Sequence, residues 1–218
     1  MLQLSADRLT CSMRILMFPL ALMGSMLVTM LFSMAPKDLS AQTTSHTITL
    51  GAGCFWCVEA VFESIPGVVS GESGYSGGFI KNPGYREVCT GRTGHAEVVK
   101  VTYNPSLVSL EDILEVFFAT HDPTTLNRQG ADVGTQYRSA IYWHDEAQRP
   151  AIDQALAKAQ KDWPNPIVTE VKEFEAFYPA EDYHQAYYEL NKEAPYCRAV
   201  IAPKMAKFQK EFRTKFGL

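Results

Sequence analysis

The amino-acid sequence predicts an α+β domain in which helices pack on a mixed sheet. Strand-like and helix-like segments interleave along the chain without strict βα alternation, and this order argues against a doubly wound parallel fold. The 218 residues are 46% hydrophobic, which is enough for one well-buried core. We therefore expect one folded domain.

A strand and a helix are the first predicted elements of this domain. The segment HTITLGAG (46–53) alternates polar and apolar residues and ends in glycines, as a strand entering a turn does. Apolar residues then recur at positions 58, 61, 62 and 65, which is the spacing of one helix face. The glycine-rich segment 67–95 that follows is long for an idle loop.

The second half of the domain repeats these patterns. The segment HAEVVKVTYNP (95–105) predicts a strand, and Ser109 with Asp112 resembles a capping box that opens a helix. The polar segment 121–139 is a candidate functional loop. The remaining predicted elements are a strand at 139–144, a helix at 145–160, a strand at 166–174 and a helix at 180–190.

Residues 1–41 differ in composition from the rest of the chain. Arg8 and Arg14 precede an uncharged stretch over 15–35, and LSA then precedes residue 42, where a leader peptidase could cut. We predict a signal peptide over 1–41, with an uncleaved membrane anchor as the alternative, because the stretch is long enough to span a bilayer. The domain would then be 42–218, exported to the periplasm or held on the outer face of the membrane.

The charge of the chain excludes one class of partner. The net charge of −4 and the pI near 5.7 give no electrostatic attraction to nucleic acid, and no run of Lys and Arg stands out as a phosphate-binding stripe. We expect a monomer that binds no nucleic acid.

The segment GAGCFWCVEAVF (51–62) carries two cysteines where a glycine turn becomes a helix. A cysteine in the first helical turn lies near unpaired N–H groups, which favour a thiolate, so Cys54 is a candidate nucleophile. Its neighbour Cys57 allows a disulfide-exchange interpretation as well. Two further alternatives are a zinc site and a Cys-His pair with His184. The zinc site would use all four cysteines of the domain: Cys54, Cys57, Cys89 and Cys197.

A carboxyl group in the strand segment is the candidate acid. Glu97 and Val99 lie on the same side of the predicted strand, so Glu97 could face apolar surroundings. Burial there would raise its pKa and keep a proton available for donation. A surface carboxylate on an edge strand is the alternative.

Six motifs occur along the predicted domain. They are GCFWCVEAVF (53–62), GYSGG (74–78), NPGYREVCTGRTGHAEVV (82–99), HDPT (121–124), GADVGTQYRSAIY (130–142) and YHQAYY (183–188). Together, and in this order, they resemble the motifs of a known family, the A-type peptide methionine sulfoxide reductases. The resemblance covers about residues 47–200.

The resemblance implies a role for each residue that matches a family motif. Cys54 corresponds to the nucleophile, and Phe55 with Trp56 corresponds to the apolar pocket for the methyl group of the sulfoxide. Glu97 corresponds to the proton donor. The remaining polar residues of the sulfoxide site would be Tyr85, Asp132 and Tyr137. The family fold implies a ferredoxin-like core with long coil segments.

The implied reaction is the reduction of methionine S-sulfoxide, free or in proteins, to methionine, which repairs proteins after oxidative stress. Cys54 becomes a sulfenic acid and a second thiol clears it. We favour Cys197 as this resolving thiol over Cys57, because two thiols one helical turn apart can be badly aimed for a disulfide. Cys89 is interpreted as a structural thiol. The reductant would be thioredoxin or a thioredoxin-like dithiol, with no metal and no cofactor.

Overall fold

The computed structural model describes residues 44–218 of the chain, and the predicted leader, 1–41, lies outside them. The strands are β1 (His46–Ala52), β2 (Val68–Ser76), β3 (Ala96–Tyr103), β4 (Arg128–Gln129), β5 (Asp132–Val133), β6 (Ser139–Trp143), β7 (Glu170–Glu173) and β8 (Phe177–Pro179). The α-helices are α1 (Phe55–Glu63), α2 (Tyr85–Val88), α3 (Leu110–Thr120), α4 (Arg149–Ala159), α5 (Tyr187–Leu190) and α6 (Ala202–Phe216). A π-helical turn, Cys197–Ile201, leads into α6.

Six strands form one mixed sheet in the order β7-β6-β1-β3-β2-β8. All neighbours are antiparallel except β6 and β7, which are parallel. The four central strands of the sheet are β6-β1-β3-β2. Along the chain, these strands and two helices follow the order β1, α1, β2, β3, α3, β6. This βαββαβ arrangement is the ferredoxin-like core, so the fold class predicted from the sequence is confirmed.

The main core lies between one face of the sheet and the helices. Ile48 and Leu50 of β1 and Val99 and Val101 of β3 are fully buried there. Alternate residues of the same strands point to the opposite face. On that face a smaller cluster forms around Ala96, Val98, Ala140 and Tyr142, covered by Phe174 and Phe177. No helix within residues 44–218 has both the length and the apolar character that a membrane crossing needs.

The helix predicted over 180–190 is wrong as a single element. A 3-10 turn covers Asp182–His184, and α5 begins only at Tyr187 because Ala186 between them is left-handed, with φ of 49°. The Gln185 amide explains the break, since it accepts from the Ser73 N–H at 3.0 Å and donates to the Ser73 carbonyl at 3.0 Å. These bonds hold the turn against β2 and outweigh the helical preference of the segment.

The polar segment 121–139 contains structure that the sequence did not predict. β4 and β5 form a small hairpin, and a 3-10 turn, Thr135–Tyr137, follows it. Side chains of that turn reach the glycine-rich segment: Thr135 Oγ1 donates to the Gly91 carbonyl at 3.3 Å, and Arg138 Nη2 to the Gly94 carbonyl at 3.1 Å. The two functional-loop candidates therefore pack against each other.

Candidate active site

Cys54 lies where β1 passes into α1, as the sequence predicts. Gly53 makes the turn possible with a left-handed φ of 89°, and a Cβ there would lie 2.7 Å from the Cβ of Gln129 in the β4–β5 hairpin. Cys54 is the N-cap residue, and its carbonyl accepts the N–H of Cys57 at 3.1 Å. Only 9% of Cys54 is exposed, so the residue is almost completely buried.

Glu97 meets the start of the same helix from β3. It shares the helix-facing side of the strand with Val99 and is 1% exposed, so it is a buried carboxyl and not the surface group of the alternative interpretation. Its Oε2 accepts the N–H of Phe55 at 3.1 Å. Burial raises the pKa of Glu97 to about 8, in spite of this hydrogen bond. The group is therefore a buried carboxylic acid at neutral pH, close to the Cys54 sulfur.

The aromatic pair Phe55-Trp56 is held by other rings. Phe55 is buried against Tyr75 and His184, with ring centroids 5.9 and 5.0 Å away. Trp56 donates its indole N–H to His184 Nδ1 at 3.0 Å and stacks on Tyr187, with ring centroids 3.6 Å apart and planes 7° apart. This arrangement leaves a rigid apolar wall beside Cys54, suited to a methyl group.

Two tyrosines border the Glu97 carboxyl. Tyr85 is the first residue of α2, and Tyr137 ends the 3-10 turn before β6. Burial raises the pKa of both phenols, and nearby acidic groups that include Glu97 raise it further. Both hydroxyls therefore keep their protons across the physiological range and can act as hydrogen-bond donors.

Asp132 is held by a residue that the sequence reasoning missed. The Tyr196 hydroxyl donates to Asp132 Oδ2 at 2.9 Å and also lies beside the Cys54 sulfur. The ring of Tyr196 meets Trp56 edge-on at 5.8 Å. The sequence marks Tyr196 only by its position directly before Cys197.

The thiols of Cys54 and Cys57 are in hydrogen-bond contact. That bond lowers the pKa of Cys57 to about 7, because the Cys54 thiol donates to the Cys57 thiolate. The same bond, with burial and the Glu97 carboxyl, raises the pKa of Cys54. The sequence argument from the helix N-terminus placed the charge on Cys54. In the free site the electrostatics favour it on Cys57.

The other two cysteines differ in position. Cys197, favoured from the sequence as the resolving thiol, is fully buried in the π-helical turn. Burial, and after it the charge of Cys57, raises the pKa of Cys197. Cys89 is exposed at the end of α2, where its sulfur accepts from the Tyr85 hydroxyl. All four described cysteines are free thiols.

The geometry does not support the two alternative interpretations of the cysteines. Within residues 44–218, no cluster of three or more His, Cys, Asp and Glu side chains could hold a metal ion. His184 receives the Trp56 N–H on Nδ1 and packs on Phe55, so it is part of the aromatic wall and not the partner of a cysteine protease nucleophile.

Comparisons with known proteins agree with this site. The family model of peptide methionine sulfoxide reductase matches residues 46–216. The chain is 55% identical over 167 residues to peptide methionine sulfoxide reductase MsrA of Saccharolobus solfataricus, a match that covers 77% of this chain and 94% of that protein. It is 53% identical over 170 residues to the MsrA of Sulfolobus acidocaldarius, covering 78% and 97% of the two chains.

Two solved structures share the fold. Methionine sulfoxide reductase A of Corynebacterium diphtheriae matches with a TM-score of 0.64 at 38% identity, covering 70% of this chain and 78% of that one. Mxr1 of Saccharomyces cerevisiae in reduced form matches with a TM-score of 0.67 at 36% identity, covering 72% and 91%. From the buried acid beside Cys54, the aromatic wall and these similarities together, the chain belongs to the peptide methionine sulfoxide reductase family, in its MsrA class.

Proposed function

We propose that this peptide-methionine (S)-S-oxide reductase uses Cys54 as its nucleophile and Glu97 as its proton donor. The observation that carries the assignment is the contact of Glu97 with the first turn of α1, where its Oε2 accepts the Phe55 N–H at 3.1 Å. A carboxylic acid with a pKa of about 8 stands next to the cysteine. Phe55 and Trp56 supply the methyl pocket.

Oxygen transfer begins with polarisation of the sulfoxide. Glu97 and the hydroxyls of Tyr85 and Tyr137 donate to the sulfoxide oxygen and stabilise the charge that develops on it. The Cys54 proton passes along the thiol–thiol hydrogen bond to the Cys57 thiolate as the Cys54 sulfur attacks the sulfoxide sulfur. Glu97 then gives its proton to the oxygen. As the new bond between the Cys54 sulfur and the sulfoxide sulfur breaks, the oxygen moves to Cys54. Methionine is released, and Cys54 is now a sulfenic acid.

The resolving step favours Cys57 as the first partner of Cys54. A hydrogen bond with the Cys57 thiol raises the pKa of Cys54, whereas Cys57 acts on the pKa of Cys197 only through its charge. We propose that Cys57 attacks the sulfenic sulfur, with loss of water, to form a Cys54–Cys57 disulfide. Cys197 then attacks Cys57, which frees Cys54 and leaves a Cys57–Cys197 disulfide. The sequence-based preference was for Cys197 as the thiol that clears the sulfenic acid, and it stays a prediction. In the present proposal Cys197 acts in the second step instead.

The activity is tested with the two epimers of methionine sulfoxide. We expect the purified protein to reduce the S epimer with dithiothreitol and to leave the R epimer unchanged, and we expect Cys54→Ser to be inactive. Asp182→Asn is the control, because Asp182 is an exposed residue outside the thiol site. A Cys54→Ser variant that turns over the S epimer would exclude this mechanism.

Peptide mapping after one turnover tests the order of the thiols. With one equivalent of S-sulfoxide and no reductant, the earliest disulfide should join Cys54 and Cys57, and a Cys57–Cys197 disulfide should follow. In Cys197→Ser, the Cys54–Cys57 disulfide should persist. If Cys54 pairs with Cys197 first in the unaltered protein, Cys57 is not the resolving thiol.

The reductant, the location and the assembly state are further parts of the proposal. We propose a thioredoxin-like dithiol as electron donor, because the final disulfide needs an external thiol and the family resemblance names thioredoxin. The predicted signal over 1–41 supports export of a monomer to the periplasm or the outer face of the membrane. Sequencing the N-terminus of the protein isolated from its native cell would show whether the chain begins at residue 42.

A further inference from the structure

Glu181 is a carboxylate that the proposed reaction does not use. It lies in the turn between β8 and α5, 96 residues along the chain from Tyr85 and 106 from Tyr75. Its Oε1 accepts the backbone N–H of Tyr85 at 2.9 Å, and its Oε2 accepts the Tyr75 hydroxyl at 3.0 Å. His184 Nε2 lies 3.9 Å from the same Oε2. One side chain therefore touches three aromatic residues around the site.

We propose that Glu181 is a positioning residue that fixes the Tyr85 hydroxyl and the aromatic wall relative to each other. This inference rests on the proposed function, because it concerns how the oxygen donor and the methyl pocket of that site keep their geometry.

The contact with Tyr85 bears on the oxygen donor. α2 has only four residues, too few to be stable alone. The Tyr85 N–H belongs to the first turn of α2, where backbone donors lack partners within the helix. Glu181 satisfies this donor and so ties α2 to the turn before α5. Without the carboxylate, the Tyr85 ring would lose its anchor while its hydroxyl chemistry stayed intact.

The contacts with Tyr75 and His184 bear on the methyl pocket. Because His184 Nδ1 accepts from Trp56, a neutral His184 carries its proton on Nε2. That Nε2 is buried and has no hydrogen-bond partner of standard geometry within residues 44–218. The Glu181 carboxylate lies near this Nε2 and favours a proton there. Nδ1 then stays free to accept the Trp56 N–H. Tyr75, held by the same carboxylate, packs on Phe55 at 5.9 Å.

The ionisation of Glu181 suits an anchor and not a proton carrier. Burial opposes its charge, but the hydrogen bond from the Tyr85 N–H and the neighbouring donors lower its pKa below the usual value. It stays charged across the neutral range, so its loss should not add or remove a limb in the pH profile of the reaction.

The test compares kcat and KM for methionine S-sulfoxide in three Glu181 variants. Glu181→Ala should lower kcat at least about tenfold, since a misplaced oxyanion donor costs up to about 10²–10³. Glu181→Gln should lose less activity than Glu181→Ala, because its amide oxygen still accepts the Tyr85 N–H although the charge beside His184 is gone. Glu181→Asp keeps the charge but loses reach, so it should resemble Ala. Asp182→Asn, an exposed neighbour, is the matched control and should match the unaltered enzyme.

A double-mutant cycle separates positioning from a general loss of stability. In a Tyr85→Phe background, Glu181→Ala should lower kcat by a smaller factor than in the unaltered enzyme, because the hydroxyl it aims is already gone and only its effect on the methyl pocket remains. Full multiplication of the two losses would overturn the proposal, and so would unaltered kcat in Glu181→Ala and Glu181→Asp. Absence of S-sulfoxide turnover in the unaltered enzyme and in Asp182→Asn would instead refute the proposed function.

Discussion

Glu97 and Cys54 show how single residues acquire chemistry from their surroundings. The same carboxyl group on a surface would be ionised at neutral pH, and the same thiol in water would react slowly. Burial on the helix-facing side of β3 gives Glu97 a pKa of about 8, and the contact with Cys57 gives Cys54 a proton acceptor. In the proposed reaction, Glu97 is therefore the proton donor and Cys57 the acceptor of the Cys54 proton.

Substitution of Glu97 should separate hydrogen bonding from proton transfer. Glu97→Gln keeps a donor toward the sulfoxide oxygen and should retain a small part of the single-turnover rate. Glu97→Ala loses the donor, and we expect at least about tenfold further loss. Stopped-flow measurement of methionine release gives both rates. Equal rates in the two variants would show that Glu97 does not contact the oxygen.

The pH dependence of that single turnover follows from the raised pKa of Glu97. The reactive form needs the Glu97 proton and the Cys57 thiolate together, so the rate should rise as pH increases through about 7 and fall as pH rises through about 8. The fall should disappear in Glu97→Gln, whose amide does not titrate. If the rate of Glu97→Gln still falls at high pH, a group other than Glu97 causes the fall.

Sequence reasoning predicted the residues to which the proposed reaction assigns chemical roles, but not those that hold them in place. The glycines, the cysteines and the strand pattern around Glu97 are local signals, and the family motifs added Tyr85, Asp132 and Tyr137. Tyr196 and Glu181 act through contacts 64 and 96 residues away along the chain. No local periodicity encodes such pairings, because the sheet order decides them.

At the scale of elements, the junction of β1 and α1 depends on close approach of the β4–β5 hairpin. Gly53 meets two requirements at once, a left-handed φ of 89° and room for the Gln129 side chain, which a Cβ at Gly53 would approach to 2.7 Å. The first helix was predicted well because its apolar spacing is strong. The segment 180–190 was not, because side-chain bonds to β2 override its helical pattern.

Alanine at Gly53 should therefore destabilise the protein more than alanine at Gly130. Both glycines are left-handed, but a Cβ at Gly130 meets nothing within 4 Å. We expect about 1 kcal/mol for Gly130→Ala from backbone strain, and about 2–4 kcal/mol for Gly53→Ala from strain plus overlap. Urea unfolding gives both values. Equal losses would mean that the hairpin moves aside without cost.

The distribution of methionine concerns the whole molecule. Seven of the eight methionines fall in 1–41, and the eighth, Met205, is 9% exposed in the core against α1. Dilute hydrogen peroxide should oxidise Met205 much more slowly in the folded protein than in urea-unfolded protein, because a buried thioether is shielded. Peptide mass spectrometry after a short exposure measures this. Oxidation of Met205 at a similar rate in both states would contradict the packing described for α6.

The most direct measurement follows the sulfoxide oxygen itself. A variant with Cys57→Ser and Cys197→Ser is mixed with one equivalent of methionine S-sulfoxide labelled with heavy oxygen, without reductant. Intact mass and peptide mapping should find one labelled oxygen on Cys54 for each methionine released. Methionine released with no labelled oxygen on Cys54, or with the label on Cys89, would contradict the assignment of Cys54 as nucleophile.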